Sequence, residues 1–464
     1  MTQKEALKPA RKRTTWGSYG AFLIAAIGSS IGLGNIWKFP YEAGLHGGGT
    51  FLIVYLPSVL LVALPLMVSE LMIGRIGKSH PVQSIRVIVA RWRLSTLWPS
   101  IGWLGMLTSL IIFSYYSVVA GWTLYYVMNS AAGAFENVPA EIVQRSFGVL
   151  LSNTEQLLIW HSVFVLIVVL VLAQDIRKGL EMLMRFLMPL FIAAVVWLFY
   201  FAADVGNMPA ALEFMFTVRW EFLTFELFVS ALTQALFSMS IGMGILMMYG
   251  AYLSDHRPLI GAAVIITVFD TAIALIMSVM IFAIVFAFGM RPDSGAGLIF
   301  ETLPVAFSQI QENSVWISTT FFSLMFAAAL FSGLALLEPA IAWLSERYEM
   351  GRRQAAWMVG VIVWAFGLLS IFSYSDFNFA FYYFGVERLG GYFDFFNILS
   401  THVLMPLTAL FIALFAGWVI SREEALKSLQ VRAGISFTLW RLFTRYTAPL
   451  FLIITLLMVL FVPA

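Results

Sequence analysis

One acidic side chain stands in the middle of a long apolar run of this sequence. Asp270 has apolar residues for more than a helical turn on either side. A charge at such a place is costly, and it usually binds an ion or pairs inside the protein. Asn35, Ser238 and Ser332 add amide and hydroxyl groups to other apolar runs. Such hard oxygen ligands suit an alkali cation better than a transition metal. The alternative is that Asp270 is protonated, or hydrogen-bonded between helices without binding an ion.

Two short stretches interrupt apolar runs in the same way. Residues 30–34 read Ser-Ile-Gly-Leu-Gly, and residues 240–244 read Ser-Ile-Gly-Met-Gly. A helix broken at membrane depth leaves main-chain groups without partners, which is tolerated where the break lines a polar cavity. Breaks at matching places in two halves predict a substrate and ion site near the bilayer midplane. The alternative is that these glycines only allow close helix packing.

The elements that carry these residues are membrane helices. The chain is 61% hydrophobic and 11% charged, with a mean hydropathy of +0.89, which indicates a polytopic membrane protein. We number its eleven apolar segments in chain order: residues 18–43, 50–74, 97–131, 157–174, 183–203, 223–253, 259–289, 314–345, 354–373, 393–420 and 440–462.

Basic residues concentrate on alternate connections between these segments. The connections of one side hold most of the Lys and Arg residues, whereas the other side holds only Arg145, Arg219, Arg291 and Arg388. The positive-inside rule therefore places the N-terminus in the cytoplasm and the C-terminus outside, in the plasma (inner) membrane. The first segment is too long for a signal-peptide core and is expected to remain.

The two breaks also predict how the chain is organised. Residues 1–15 form a basic cytoplasmic tail, and residues 16–464 form a single transmembrane domain. If the broken segments correspond, segments 1–5 (about 16–205) match segments 6–10 (about 220–421), and residues 440–462 are an extra helix. Because five is odd, the halves insert with opposite orientation. The prediction is an all-α polytopic fold of eleven transmembrane helices, with broken helices 1 and 6.

Other features bear on the class of protein. The absence of cysteine excludes disulfides and thiolate chemistry, and the histidines are scattered, so an enzyme has little support. The excess of Lys and Arg on the cytoplasmic side is expected to face anionic lipid headgroups, so it does not indicate a nucleic-acid partner. Glu70 and Glu338 are expected to be interior hydrogen-bond acceptors, and Lys38 to snorkel or to gate the site. The aromatic connection at 374–392 is either an interfacial belt or an outer lid.

Three stretches carry a resemblance to a known family. Residues 28–41 read Gly-Ser-Ser-Ile-Gly-Leu-Gly-Asn-Ile-Trp-Lys-Phe-Pro-Tyr, residues 47–53 read Gly-Gly-Gly-Thr-Phe-Leu-Ile, and residues 65–70 read Pro-Leu-Met-Val-Ser-Glu. The chain resembles the neurotransmitter:sodium symporters of the bacterial, LeuT-like kind. The resemblance implies a LeuT-type 5+5 inverted repeat and sodium-driven uptake of an amino acid or related amine by alternating access.

The resemblance also implies where the ions bind. The first sodium would be held by the Ser30 carbonyl, Asn35, Ser238 and Asp270, in contact with the substrate carboxylate. Because Asp270 already offsets the charge of sodium, transport is expected without chloride. A second sodium site would use the residues Gly28, Ile31, Ala328 and Ser332, but Phe331 stands where another oxygen ligand belongs. One or two sodium ions are therefore expected.

The family pattern further implies a substrate pocket with a neutral, mostly apolar lining. Without an acid or a base for a second charged group, it predicts a neutral, hydrophobic amino acid, with Phe237 as its lid. The implied pocket residues are Ser29, Ser30, Leu33, Gly34, Ile112, Tyr116, Phe237, Ser238, Ser240, Met243, Ser332, Gly333 and Leu336.

Two gates follow from the same resemblance. The inner gate would pair Arg13 with Glu346 beside Trp16 and Tyr252. At the outer gate, Lys38 replaces the family's arginine, and the acidic partner is either replaced by the amide of Asn397 or displaced to Asp394. Because lysine lacks the paired donors of arginine, the outer gate is expected to close less tightly. The outer residues are Lys38, Asp394 and Asn397.

Two other functions stay open at this point. The first is a proton-coupled carrier or a sodium-independent exchanger, with Asp270 as the titrating group. The second is a receptor or scaffold on the same fold. The expected partners are a small amino acid, sodium and membrane lipid.

Overall fold

The architecture is a bundle of membrane-length helices, as the hydropathy predicts. The computed structural model describes residues 15–136, 138–253, 257–294, 297–310, 313–375, 379–383 and 386–461. In the described part, nine unbroken helices are long and apolar enough to span a membrane, and a pair bent by 46° makes a tenth span. Segment 6 consists of two shorter helices. In chain order, the helices of segments 1 to 11 are Tyr19–Ser30 with Gly34–Leu45, Gly49–Gly77, Ser100–Ala131, Thr154–Leu172, Arg177–Val205, Phe225–Ser238 with Ile245–Ala251, Leu259–Ala287, Ser314–Arg347, Arg352–Phe372, Gly391–Val419 and Ile435–Val459.

Polar residues mark where several of these helices begin. The side chains of Ser18, Asn153 and Thr224 each accept a hydrogen bond from the main-chain N–H three residues later. Such N-caps satisfy donors that the first helical turn leaves free. Shorter helices occupy the connections, at Pro81–Trp92, Ala140–Leu151, Met208–Phe216, Trp220–Phe222, Leu298–Ser308 and Arg422–Leu429.

Both predicted breaks are present. In segment 1 the helix ends at Ser30, because Ile31 takes an extended conformation, and it resumes after Gly32. In segment 6 the chain leaves the helix after Ser238 and turns through Ser240, Gly242 and Gly244, all with positive φ. Glycine adopts such φ values freely, which explains two of these three positions.

The core lies between segments 1, 3, 6 and 8. The central stretches of segments 3 and 8 are 78% and 72% buried within the chain, whereas those of segments 5 and 11 are only 28% and 33% buried. Apolar residues cover the more exposed segments, so those faces are fitted to lipid. The buried polar residues that the sequence singled out are therefore held at the centre of the bundle.

One connection contains a short β-hairpin in an otherwise helical fold. Strand β1 (Ala380–Tyr383) pairs antiparallel with strand β2 (Val386–Leu389), inside the aromatic connection 374–392. Phe379 packs edge-on against Tyr392, with ring centroids 4.9 Å apart. The helical fold class is confirmed, and the hairpin is an addition to it. Phe377 and Phe384 lie outside the described residues.

Candidate functional site

Three side chains from three segments meet at the centre of the bundle. The Asn35 amide nitrogen lies 2.9 Å from Asp270 Oδ1 and 3.2 Å from the Ser238 hydroxyl. Ser238 donates to Asp270 Oδ2 at 2.6 Å. Asp270 and Asn35 are fully buried, and Ser30 lies close enough to interact with the carboxylate. The four residues predicted for the first sodium site are thus brought together.

Both helix breaks face this cluster. The Gly32 N–H donates to the Asn35 amide oxygen at 3.1 Å, and the Gln234 side chain donates to the Gly34 carbonyl at 2.8 Å. In segment 6, Glu70 accepts the Gly242 N–H at 2.7 Å. Glu70 is therefore an interior acceptor, as predicted. These bonds fix the main-chain groups that the breaks release, as burial requires.

A small cavity of about 20 Å³ adjoins the cluster. Its largely apolar lining is that of a small-molecule site, but a space of this size holds about one water molecule, so binding an amino acid requires the lining to move apart. The N–H of Leu33 points to the Tyr116 hydroxyl at 3.4 Å, so the start of the second half of segment 1 faces the same space. A half-helix N-terminus there carries partial positive charge and attracts anions. The cavity is lined by Ser30, Gly32, Gly34, Ile112, Tyr116, Phe237, Ser238, Ser240, Met243, Ile245, Ser332 and Leu336.

Two predicted pocket residues, Gly333 and Ser29, lie differently from the expectation. Gly333 faces segment 4, because a side chain there would collide with the Phe164 ring at 2.9 Å, so it is not a cavity residue. The Ser29 hydroxyl donates to the Ala26 carbonyl of its own helix and lies near Tyr249, while its carbonyl accepts the Ser240 and Ser332 hydroxyls. Leu33 contributes its N–H.

The cavity also includes Gly32, which belongs to the first glycine break, and Ile245, which the sequence analysis did not name. A Cβ atom at Gly32 would lie 2.1 Å from the Ser332 hydroxyl and 3.3 Å from that of Tyr116. The missing side chain therefore lets segments 1, 3 and 8 approach one another. The repeated glycine pattern was the available signal for Gly32, whereas nothing in the sequence pointed to Ile245.

Apolar side chains pack against two of the positions implied for a second sodium site, Gly28 and Phe331. A Cβ atom at Gly28 would lie 3.1 Å from the Met188 methyl and 3.5 Å from the Met184 sulfur. Phe331 is fully buried and packs against Phe191, with ring centroids 6.0 Å apart. Ser332 donates to the Ser29 carbonyl at 3.2 Å, and Ile31 and Ala328 are buried nearby in the core.

The Lys38 ammonium lies over the Phe237 ring and covers the outer end of the cavity. Lys38 is only 6% exposed, and its ammonium lies 4.8 Å from the centre of the Phe237 ring. A cation in such a position is attracted by the face of the ring. Glu42, one helical turn further along, offsets its charge. The sequence analysis missed Glu42, although the four-residue spacing from Lys38 was a signal.

The other predicted outer residues lie on segment 10. Asp394 is in its first turn and approaches Tyr41 and Tyr374. The carbonyl of Asn397 accepts the Thr401 hydroxyl at 2.7 Å.

The inner end of the site is closed by Trp16, which lies just before the first helix of segment 1. Trp16 is buried, with its ring nitrogen 3.3 Å from the Tyr249 carbonyl and its main-chain N–H donating to the Tyr252 carbonyl at 3.2 Å. Two of the predicted inner-gate residues thus meet here. Arg13 lies outside the described residues.

Glu346 binds the connection after segment 2. It accepts the Ser79 hydroxyl at 2.5 Å and lies 3.8 Å from His80. Burial, together with the nearby charge of Arg86, lowers the pKa of His80 to about 3, so the imidazole is neutral at pH 7. The contact between Glu346 and His80 is therefore not an ion pair, and the hydrogen bond to Glu346 comes from Ser79.

A buried ion pair stands beside the inner gate. Arg352 donates to both carboxylate oxygens of Glu338, at 2.9 and 2.5 Å, and Tyr252 donates to the same carboxylate at 2.9 Å. Glu338 was expected to be a hydrogen-bond acceptor, and it is one, but its charged partner was not foreseen. Arg352 lies at the start of segment 9, which is brought beside Glu338 only when the chain folds.

Comparisons with known proteins agree with this geometry. The chain matches the sodium:neurotransmitter symporter family over residues 13–147 and 135–463. It is 30% identical to the uncharacterized sodium-dependent transporter YhdH of Bacillus subtilis, over 96% of this chain and 98% of that protein. It is 25% identical to the sodium-dependent nutrient amino acid transporter 1 of Drosophila mojavensis, over 79% of this chain and 65% of that protein.

A solved structure has the same fold. The crystal structure of MhsT in complex with L-phenylalanine superposes with a TM-score of 0.89 at 34% identity, and the match covers 96% of this chain and 99% of MhsT. That structure has the LeuT fold, with which the eleven-helix prediction agrees. The matched relatives are sodium-dependent transporters rather than enzymes, receptors or scaffolds. The chain therefore belongs to the sodium:neurotransmitter symporter family and is a sodium-dependent, multi-pass membrane transporter.

Proposed function

We propose that this transporter carries a neutral, hydrophobic amino acid into the cell together with sodium, by alternating access and without chloride. The observation that carries the proposal is the contact between the Asn35–Ser238–Asp270 cluster and the cavity. The cluster offers hard oxygens to a sodium ion, and the adjacent break in segment 1 offers main-chain N–H groups to a carboxylate. The ion and the organic acid group would then neutralise each other in a site that excludes water.

The cavity supports the choice of substrate. Its side walls are apolar, at Ile112, Met243, Ile245 and Leu336, and its lining contains no charged side chain. A second charge on the substrate would therefore be buried without a partner, which is costly. MhsT was crystallised with L-phenylalanine, which is an amino acid of the proposed class. Hydrophobic pockets discriminate weakly between side chains that differ by one methylene, so several related substrates are expected.

Sodium binding requires one local change. The Asn35 amide now presents its nitrogen to Asp270 and its oxygen to the Gly32 N–H. A cation between these groups requires the amide to turn its oxygen inward, which also releases the Gly32 N–H for a substrate carboxylate. The two ligands would thus assist each other's binding. This coupling favours sodium over a proton on Asp270 as the transported partner, as does the sodium dependence of the family.

A thermal-stability screen tests the function. The purified transporter is heated with each of the twenty amino acids, in sodium chloride or in choline chloride. A ligand that binds the folded state raises its melting temperature. We expect stabilisation by hydrophobic amino acids in sodium only, followed by sodium-dependent accumulation of the best ligand in proteoliposomes. Stabilisation by charged amino acids, or equal stabilisation in choline, would contradict the proposal.

Uptake should not require chloride. Asp270 provides a fixed negative charge beside the cation, and the Tyr55 hydroxyl faces the same group, with Thr271 and Ser238. A chloride ion next to this carboxylate would be repelled. We expect initial uptake rates in sodium gluconate within about 20% of those in sodium chloride, because like charges at short range in a buried site disfavour anion binding. Loss of uptake in gluconate would refute this prediction.

We also propose that one sodium ion accompanies each substrate. The supporting observation is that Phe331 is fully buried where a second oxygen side chain is expected, and that Met184 and Met188 pack against Gly28. A benzyl or thioether group is a poor ligand for sodium. The predicted Hill coefficient for sodium-dependent uptake is about 1, because cooperativity is limited by the number of sites. A coefficient near 2 that falls to 1 in Ser332→Ala would contradict it.

A further inference from the structure

Three arginines gather where segments 10 and 11 meet, on the side predicted to be cytoplasmic. Arg441 and Arg445 lie one turn apart on segment 11, and Arg422 begins the connecting helix Arg422–Leu429. Arg422 and Arg445 are close enough to Arg441 to repel it electrostatically. No acidic side chain forms an ion pair with these three within the described ranges, since Glu424 pairs instead with Arg91 at 3.4 Å. The cluster therefore carries uncompensated positive charge.

The cluster is built into the helix packing rather than displayed on a mobile loop. A Cβ atom at Gly417 would lie 2.9 Å from Arg445 Cγ, so the arginine stem crosses segment 10 where that segment has no side chain. The Arg445 guanidinium lies 4.3 Å from the centre of the Trp418 ring, and Trp418 donates to the Arg445 carbonyl at 3.1 Å. The aromatic ring thus fixes the orientation of the cation.

Some of the donors in this cluster have no hydrogen-bond partner among the described residues. Arg441 Nη1 and Arg445 Nε are buried atoms without a hydrogen bond. Buried donor atoms without a hydrogen bond are uncommon and costly, and an anion with several oxygens would satisfy neighbouring nitrogens of both groups. Guanidinium groups bind phosphate oxygens in pairs, which makes them suited to a phosphate ester.

An apolar track runs from the cluster toward the membrane interior. Leu442, Tyr446 and Leu450 follow one another at four-residue spacing on segment 11, and they are 47%, 54% and 56% exposed. Tyr446 and Trp418 flank the arginines, as aromatic residues do at a membrane interface. A molecule with a phosphate head and acyl chains would place its head on the arginines and its chains along this track.

We propose that Arg441 and Arg445, assisted by Arg422, bind the headgroup of an anionic phospholipid at the inner end of segments 10 and 11. Charge complementarity selects an anionic lipid over a zwitterionic one, since basic pockets between membrane helices on this side bind anionic headgroups. The continuous apolar track selects a lipid over a free phosphate ion. The bound lipid would join the two segments and stabilise this edge of the bundle.

Native mass spectrometry of the purified full-length chain tests the proposal. Phosphatidylglycerol and phosphatidylcholine with identical acyl chains are titrated separately, and inorganic phosphate is added as a competitor. The test variant is Arg441→Gln/Arg445→Gln, and Lys427→Gln/Arg432→Gln is the matched control, which removes the same charge from exposed positions of the same connection. A second variant, Arg441→Lys/Arg445→Lys, keeps the charge but not the planar donors.

Phosphatidylglycerol is expected to bind the wild type and the control alike. Its affinity should fall about thirtyfold in the glutamine variant, because each basic residue near an anionic surface contributes on the order of 1 kcal/mol. The lysine variant should fall between them. If the double glutamine variant does not fold, the phosphatidylglycerol affinities of the lysine variant and of the single glutamine variants are compared with that of the wild type instead. Equal binding of both lipids, an equal loss in the control, or full displacement by inorganic phosphate would overturn the proposal.

Discussion

Replacing Asp270 by asparagine should reduce the apparent affinity for sodium by more than about 100-fold, because removing one partner of a buried charge pair costs about 3–5 kcal/mol. The carboxylate is fully buried and is bound by Asn35 and Ser238. Asparagine keeps the size and one oxygen, so the variant isolates the charge. Uptake of the amino acid identified by the thermal screen is measured in proteoliposomes over a wide range of sodium concentrations.

The control for this variant is Asp293→Asn, which removes an exposed carboxylate that forms an ion pair with Arg291 two residues away. It should leave sodium affinity unchanged. If Asp270→Asn folds normally and transports with the sodium dependence of the wild type, then the cation does not bind at this carboxylate. A new requirement for chloride in the variant would support the account, since a mobile anion would then replace the lost charge.

Replacing Arg352 by methionine should destabilise the protein by about 3–5 kcal/mol, because it leaves the Glu338 carboxylate buried without its cation. Glu338 is 1% exposed and receives two hydrogen bonds from Arg352 and one from Tyr252. The side chain of Arg352 is 19% exposed, so solvent screens the pair only weakly. The free energy of unfolding is measured by chemical denaturation in detergent.

Arg353→Met is the matched control, because it removes an exposed arginine from the next position. It should change stability little. The double variant Glu338→Gln/Arg352→Gln should recover part of the loss, since no unpaired charge remains buried. Equal effects of the two methionine variants would show that the ion pair contributes little. Because Tyr252 also contacts Trp16, we further expect Arg352→Met to loosen the inner gate.

Most of the fold could be predicted because membrane helices have a strong local signal. Their length and apolar composition identify the spans, and the two glycine patterns identify the breaks at Ile31 and Ser240. The β-hairpin could not be predicted, because its short aromatic strands have the composition of an interfacial connection. Its register depends on local pairing and on packing against segment 10.

The centre of the candidate site could be predicted for a different reason. A buried carboxylate and a buried amide stand out in an apolar sequence, so Asp270 and Asn35 were visible before the structure. The sequence did not reveal the residues that contact the polar groups, because these residues are of common types and only the fold brings them into contact. Arg352 looked like one more inner-side charge, and Met184 is one of many apolar residues in segment 5. Gly333 shows the opposite error, since a position taken from a family pattern turns out to face segment 4.

The most direct test of the central claim is the equilibrium affinity of the purified wild-type transporter for its amino acid as sodium is varied. If the ion and the carboxylate of the substrate share one site, saturating sodium should increase the affinity about 5- to 150-fold, and the amino acid should increase the affinity for sodium by the same factor. An amino acid that binds equally well in sodium and in choline would contradict the account.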